Sequence, residues 1–181
     1  DVLIGIENLI GSALNDVLRG DAAANRLTGG DGADELEGGA GNDTLDGGLG
    51  LDTASYASAT AGVNVTIGNG NQNTGGAGVD NLIGIENLIG SGLADNLKGD
   101  GGANSINAGG GDDTVSGGAG DDSLSGGSET NVLNGAAGDD TLSGGGGNAG
   151  GSGNGGGWLT DLLKPGEGGG YVDPLQPAAT K

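Results

Sequence analysis

The chain has 181 residues, with 25 acidic against 5 basic side chains, a formal charge of −20, and 48 glycines. So acidic a chain is repelled by nucleic acid and by anionic lipid, which excludes both as partners and leaves cations. It has no Cys and no His, so disulfides, thiolate sites and imidazole ligation are excluded, and the remaining oxygen ligands suit calcium.

Three aromatics (Tyr56, Trp158 and Tyr171), with no Phe and no Met, leave Leu, Ile, Val and Ala to fill an interior. A core built from these has to be a thin stripe repeated many times. No run of about 20 apolar residues could span a membrane, so no transmembrane segment is expected, and no signal peptide is visible. Opening on Asp1, the chain reads as a mature product or an excised piece.

A nine-residue register begins at once. VLIGIENLI (2–10), GSALNDVLR (11–19) and GDAAANRLT (20–28) lead into GGDGADELE (29–37), GGAGNDTLD (38–46) and GGLGLDTAS (47–55). Position six holds Asp16, Asn25, Asp34, Asp43 and Asp52, while position eight holds Leu18, Leu27, Leu36, Leu45 and the weaker Ala54. An acidic lattice and an apolar one advance together, which disorder would not require. This first array is assigned to residues 1–55.

Residues 56–79 break the rule, although Val63, Val65 and Ile67 alternate as one face of a strand does. The segment is read as an enlarged, irregular coil, with NGNQNTGGAG (69–78) as a surface loop. A second array, 80–146, opens on DNLIGIENLIGSGLADNLKGD (80–100), which repeats DVLIGIENLIGSALNDVLRGD (1–21) without insertion. Its position-six residues are Asp95, Asn104, Asp113, Asp122, Asn131 and Asp140, and Leu97, Ile106, Val115, Leu124, Leu133 and Leu142 take position eight. The frame fails at 144. Residues 147–181 form a Gly-rich linker and a tail in which WLTDLLK (158–164) is expected to be a short amphipathic helix. That helix either caps the last coil or docks on a neighbouring molecule, a route to self-association.

A nine-residue unit is too short for a hairpin or a helix pair, but it divides into a six-residue turn and a three-residue strand whose middle residue points inward. Two units then complete one coil, and each turn stacks on the turn two units later, about 4.8 Å away. Asp34 falls over Asp52 on one flank and Asn25 over Asp43 on the other; Asp95 pairs with Asp113, and Asp122 with Asp140. Two carboxylates so placed repel by roughly 3.5 kcal/mol at an effective dielectric of about 20. Burying one Leu per unit gains about 1.5 to 3 kcal/mol, whereas ordering nine backbones costs on the order of 9 kcal/mol or more. A divalent ion between stacked turns converts repulsion to attraction and takes its six to eight oxygens from Asp side chains and turn carbonyls, so that binding and folding become one event. Turns that aim carbonyls at an ion need positive φ and close backbone approach. Gly29, Gly30, Gly32, Gly38, Gly39, Gly41, Gly109, Gly111, Gly117, Gly118 and Gly120 hold those positions, so they join the position-six residues as candidate metal-site residues.

GGDGADELE, GGAGNDTLD and GGAGDDSLS resemble the repeats-in-toxin nonapeptide of bacterial exoproteins, a calcium-binding repeat. The resemblance covers about residues 1 to 146 and weakens where Asn25, Asn104 and Asn131 replace the acid. It implies an all-β, right-handed parallel β-roll with several calcium ions between its turns. It also implies a chain that is unfolded in calcium-poor cytosol, leaves by a type I secretion system, and folds outside the bacterial cell. The tail YVDPLQPAATK departs from the hydrophobic terminus common in such secretion signals.

Glu7 and Glu86, inside the two GIENLI segments, read as structural residues of irregular coils. The neighbouring pairs Asp112 with Asp113 and Asp121 with Asp122 fit adjacent turn positions better than a glycosidase pair. Ser55 and Ser58 have no visible base, so no catalysis is expected. Two functions follow: a surface-attachment, surface-layer or self-assembling structural module, or the carboxy-terminal carrier module of a secreted hydrolase or toxin.

Overall fold

The computed structural model describes residues 6–68, 70–144, 150–153 and 158–159, the last two stretches as backbone only. Among the described residues every regular element is a strand. The apolar residue of each unit sits at the centre of a three-residue strand segment, and the following turn sends the chain to the opposite wall.

One wall is a continuous eight-stranded parallel sheet. It runs through β2 (Val17–Arg19), β4 (Glu35–Glu37), β6 (Thr53–Ser55), β10 (Asn87–Ile89), β12 (Ser105–Asn107), β14 (Ser123–Ser125), β16 (Thr141–Ser143) and β18 (Trp158–Leu159). The opposite wall is two five-stranded sheets. The first contains β1 (Asn8–Ile10), β3 (Arg26–Asp31), β5 (Thr44–Leu49), β9 (Gly78–Ile83) and β8 (Gly70–Gly75). The second contains β7 (Asn64–Thr66), β11 (Asn96–Lys98), β13 (Thr114–Ala119), β15 (Val132–Ala137) and β17 (Gly150–Gly153).

The pairing register is that of two units per coil. Leu27 faces Leu45, Ile106 faces Leu124, and Val115 faces Leu133, each pair separated by two nonapeptides. Leu27, Leu36, Leu45, Leu88, Leu97, Ile106, Val115, Leu124 and Leu133 are all essentially sealed from solvent. Each contributes about 1.5 to 3 kcal/mol of burial, and Ala54, also sealed, contributes the least of the stripe. Leu9 and Leu18, on the first coil, are only partly buried where they pack against the core.

Between the arrays the structure departs from the expected loop. After β6 the chain forms β7, which starts the second small sheet, with Val63, Val65 and Ile67 buried as the alternation predicts. It then turns back into an antiparallel hairpin, β8 on β9, and β9 lies parallel on β5 with Leu45 facing Leu82. Of the stretch 69–78, expected as a surface loop, residues 70–78 therefore supply the first strand and the turn of a hairpin. Gln72 and Thr74 alternate inward along β8, and the thin polar strand is held by pairing with β9 rather than by apolar burial.

The tail also departs from expectation. Trp158–Leu159 pairs in parallel with Thr141–Leu142 where a helical turn was expected, because the exposed edge of β16 offers a row of backbone partners. Residues 160–164 lie outside the described residues. Gly150–Gly153 likewise continues the opposite wall on β15, with Gly151 paired to Leu133.

Candidate metal centre

The turns place the position-six side chains in two ladders, one along each flank. On the flank beside the long sheet, the N–H of Asp16 donates to Asp34 Oδ1 at 2.8 Å, and that of Asp34 donates to Asp52 Oδ1 at 2.8 Å. Asp52 N–H then donates to Glu86 Oε2 at 2.9 Å, so Glu86 carries the ladder across the junction between the arrays. Asn104 to Asp122 and Asp122 to Asp140 follow, at 2.9 and 3.0 Å. On the other flank Asn25 donates to Asp43 at 2.8 Å and Asp43 to Asp80 at 2.9 Å. Beyond the hairpin, Val63 donates to Asp95 at 2.7 Å, Asp95 to Asp113 at 2.9 Å, and Asp113 to Asn131 at 2.9 Å. The four stacked pairs expected from spacing are all present.

Asp80 is the residue that the sequence reading missed. It is 1% exposed, and Thr74 Oγ1 donates to its Oδ2 at 3.1 Å. The signal was available: GGAGVDNLI at 75–83 is a complete unit with Asp80 at position six, but it is out of phase with the frame carried back from 90. Tyr56, buried beside it, has its hydroxyl pushed well above the ordinary range by burial and then by the charge of Asp80.

Each ladder leaves acceptors without donors. Oδ2 of Asp34, Asp43, Asp52, Asp113, Asp122 and Asp140 is buried and has no hydrogen-bond partner. Burial pushes the Asp43 and Asp113 carboxyls up to about 6, and it raises those of Asp52 and Asp122 as well, against the opposing backbone hydrogen bond each accepts. At Gly29 a Cβ would strike both Asp34 Oδ2 and the carbonyl of Gly47, so a carboxylate oxygen and the next coil's carbonyl crowd one spot with no donor between them. Gly38 and Gly117 are confined by the side chains of Asp43 and Asp122.

The other glycines serve the turn itself. Gly30 and Gly32 have φ of 118° and 125°, a left-handed backbone that a Cβ disfavours. The same conformation recurs at Gly39, Gly41, Gly109, Gly111, Gly118 and Gly120.

A buried carboxylate oxygen facing a carbonyl is satisfied by a proton or by a cation. Among the described residues no three acidic side chains converge on one metal-sized point. An ion would therefore take part of its shell from turn carbonyls, which calcium accepts. Two of the chain's few basic side chains are engaged elsewhere: Arg19 pairs with Glu37 at 3.2 Å and Arg26 with Asp46 at 3.2 Å, both on strands and away from the position-six ladders.

Fold and site together define a parallel β-solenoid whose stacked turns present oxygen ligands to cations. The RTX calcium-binding nonapeptide repeat matches it in four copies, at residues 3–36, 19–54, 89–124 and 125–148. These cover more than half of the chain, which belongs to that family of calcium-binding repeats. No curated protein matches the chain. Among the described residues no helix is long and apolar enough to cross a membrane.

Proposed function

We propose that this chain is an extracellular structural module whose roll is completed by calcium and which serves surface attachment, a surface layer or a self-assembling fibre. The observation that carries the reading is the set of six buried carboxylate oxygens without donors. Calcium bound by Asp34, Asp43, Asp52, Asp113, Asp122 and Asp140, with turn carbonyls completing its shell, supplies the missing positive charge. The residues of the chain do the rest: the Leu stripe sets the coil spacing, and the left-handed glycines hold the carbonyls toward the acids. Folding then follows calcium, so the chain stays extended in calcium-poor cytosol and forms its roll outside the bacterium.

Self-association is the part of this reading that light scattering tests. The test is a calcium titration followed together by far-UV circular dichroism and light scattering. A rise in β signal with growth of scattering supports the reading; equal β content in excess chelator overturns it. A chain that folds in calcium but stays monomeric at every concentration would favour the carrier module of a secreted hydrolase or toxin instead.

A further inference from the structure

The turns are not chemically alike, and among those with an acid at position six the backbone at position two separates the ones whose Oδ2 has a donor from the ones whose Oδ2 has none. Where that residue is left-handed, its N–H does not cap the position-six side chain. Gly30, Gly39, Gly48, Gly109, Gly118 and Ala136 have φ between 74° and 118°, and they precede the six acids whose Oδ2 lacks a donor.

Where position two is Ser or Asp, its φ is not left-handed and its N–H turns inward. Ser12 N–H donates to Asp16 Oδ2 at 2.5 Å, and Ser91 N–H to Asp95 Oδ2 at 2.6 Å. The Ser91 hydroxyl adds a second bond, to Asp95 Oδ1 at 2.8 Å. Asp21 and Asp100 cap Asn25 Oδ1 and Asn104 Oδ1 in the same way, at 2.8 and 2.9 Å. The Asn104 amide then donates to the carbonyl of Glu86 in the preceding coil at 2.8 Å.

Asn131 reaches the same end by another route. Its position-two residue, Gly127, is left-handed at φ 76°, so no N–H caps it. Its Oδ1 accepts the N–H of Asp113, which fixes the orientation of the amide. Nδ2 therefore stands where the acids carry Oδ2, and it donates to the carbonyls of Ser128 at 2.9 Å and Gly144 at 3.3 Å. An amide donor occupies the place that, in an acidic turn, a proton or a cation has to fill.

We propose that the chain alternates two kinds of turn: cation-requiring ones at the six acids after a left-handed position two, and self-capped ones at Asp16, Asn25, Asp95, Asn104 and Asn131 that hold without an ion. This rests on the calcium reading above and assigns which turns the ions enter. Self-capped turns open both repeat segments, Asp16 and Asn25 in the first and Asp95 and Asn104 in the second, and each stacks on a cation-requiring turn.

The test exchanges the two kinds. Asn131→Asp, Asp122→Asn and Asp95→Asn are compared with the parent chain by calorimetric calcium titration and by circular dichroism in excess chelator. Asn131→Asp is expected to bind at least one more ion and to lose β signal in chelator. Asp122→Asn is expected to bind at least one ion fewer while keeping more β signal in chelator. Asp95→Asn should leave the ion number unchanged. Unchanged ion numbers in both Asn131→Asp and Asp122→Asn, or an ion lost in Asp95→Asn, would overturn the assignment. If Asn131→Asp does not fold even in calcium, the other two variants decide. A parent chain that binds no calcium refutes the underlying reading instead, so the two failures are distinct.

Discussion

Without calcium the roll should be stabilised by acid. Asp43 and Asp113 are raised from an ordinary value of 3.8 to about 6, chiefly by burial. A carboxyl whose folded value is raised binds its proton more tightly in the folded state. Its stabilising contribution is therefore complete below the unfolded value and is lost as pH rises through the folded one. Going from about pH 7 to about pH 5, each of the two groups gains at most about 1.3 kcal/mol of folded-state preference. Both side chains are sealed, at 2% and 1% exposure, but their turns lie close to the surface, where solvent screening trims the pair's sum to about 2 kcal/mol. That is a roughly 30-fold change in the folded-to-unfolded ratio. Asp52, Asp80 and Asp122, also raised by burial, act in the same direction. The assay is far-UV circular dichroism in excess chelator, with an osmolyte added to bring the transition into range. The Asp43→Asn, Asp113→Asn double variant should lose about 2 kcal/mol of the acid-induced gain. An identical pH response in parent and double variant, or a β signal that falls on acidification toward pH 5, would refute the reasoning.

Asp43→Ala and Asp122→Ala should each raise the calcium concentration needed for folding, while Asp46→Ala removes only an exposed ion pair with Arg26, worth about 0 to 1 kcal/mol. Equal calcium midpoints for the three variants would count against the ladder. Leu124→Ala empties a sealed position between Ile106 and Leu142 and should cost about 2 to 5 kcal/mol, read as a lower denaturant midpoint in saturating calcium. Gly117→Ala places a methyl on the Asp122 carboxylate and should weaken calcium-induced folding, whereas Gly101→Ala meets nothing within 4 Å and should change stability by less than about 1 kcal/mol. Calcium titrations of both glycine variants check this pair.

The local unit was legible because its two constraints share one period. An inward residue must recur wherever the strand does, and a turn that brings carbonyls close to a carboxylate tolerates few residues other than glycine. Leu36, Asp34 and Gly30 could therefore be placed from spacing alone, as could the stack of Asp34 on Asp52. The junction was not legible in the same way. Leu45 pairs with Leu82, and Val65 with Leu97, across intervals that the hairpin sets and no nonapeptide count predicts. Asp80 was hidden because the hairpin shifts the phase of an otherwise complete unit. The strand at Trp158–Leu159 follows from the free edge of β16, a tertiary fact absent from the local composition. The distinction between Asp95 and Asp113 lies in which way one backbone N–H points, and the spacing of acids carries no record of that.

The two walls of the roll carry load differently. Eight strands run unbroken along one side, while the other side changes sheets at the hairpin, where Val63 and Gly75 make a lone antiparallel bridge. Backbone pairing runs throughout the first wall, whereas at that seam the second wall is joined by this bridge, by the Gly76 N–H on the Gly62 carbonyl and by the Gln72 amide on the backbone of Thr66. Pulled end to end, the molecule should part at this seam before the unbroken wall does, which single-molecule extension would show as a first step shorter than unfolding of the whole roll.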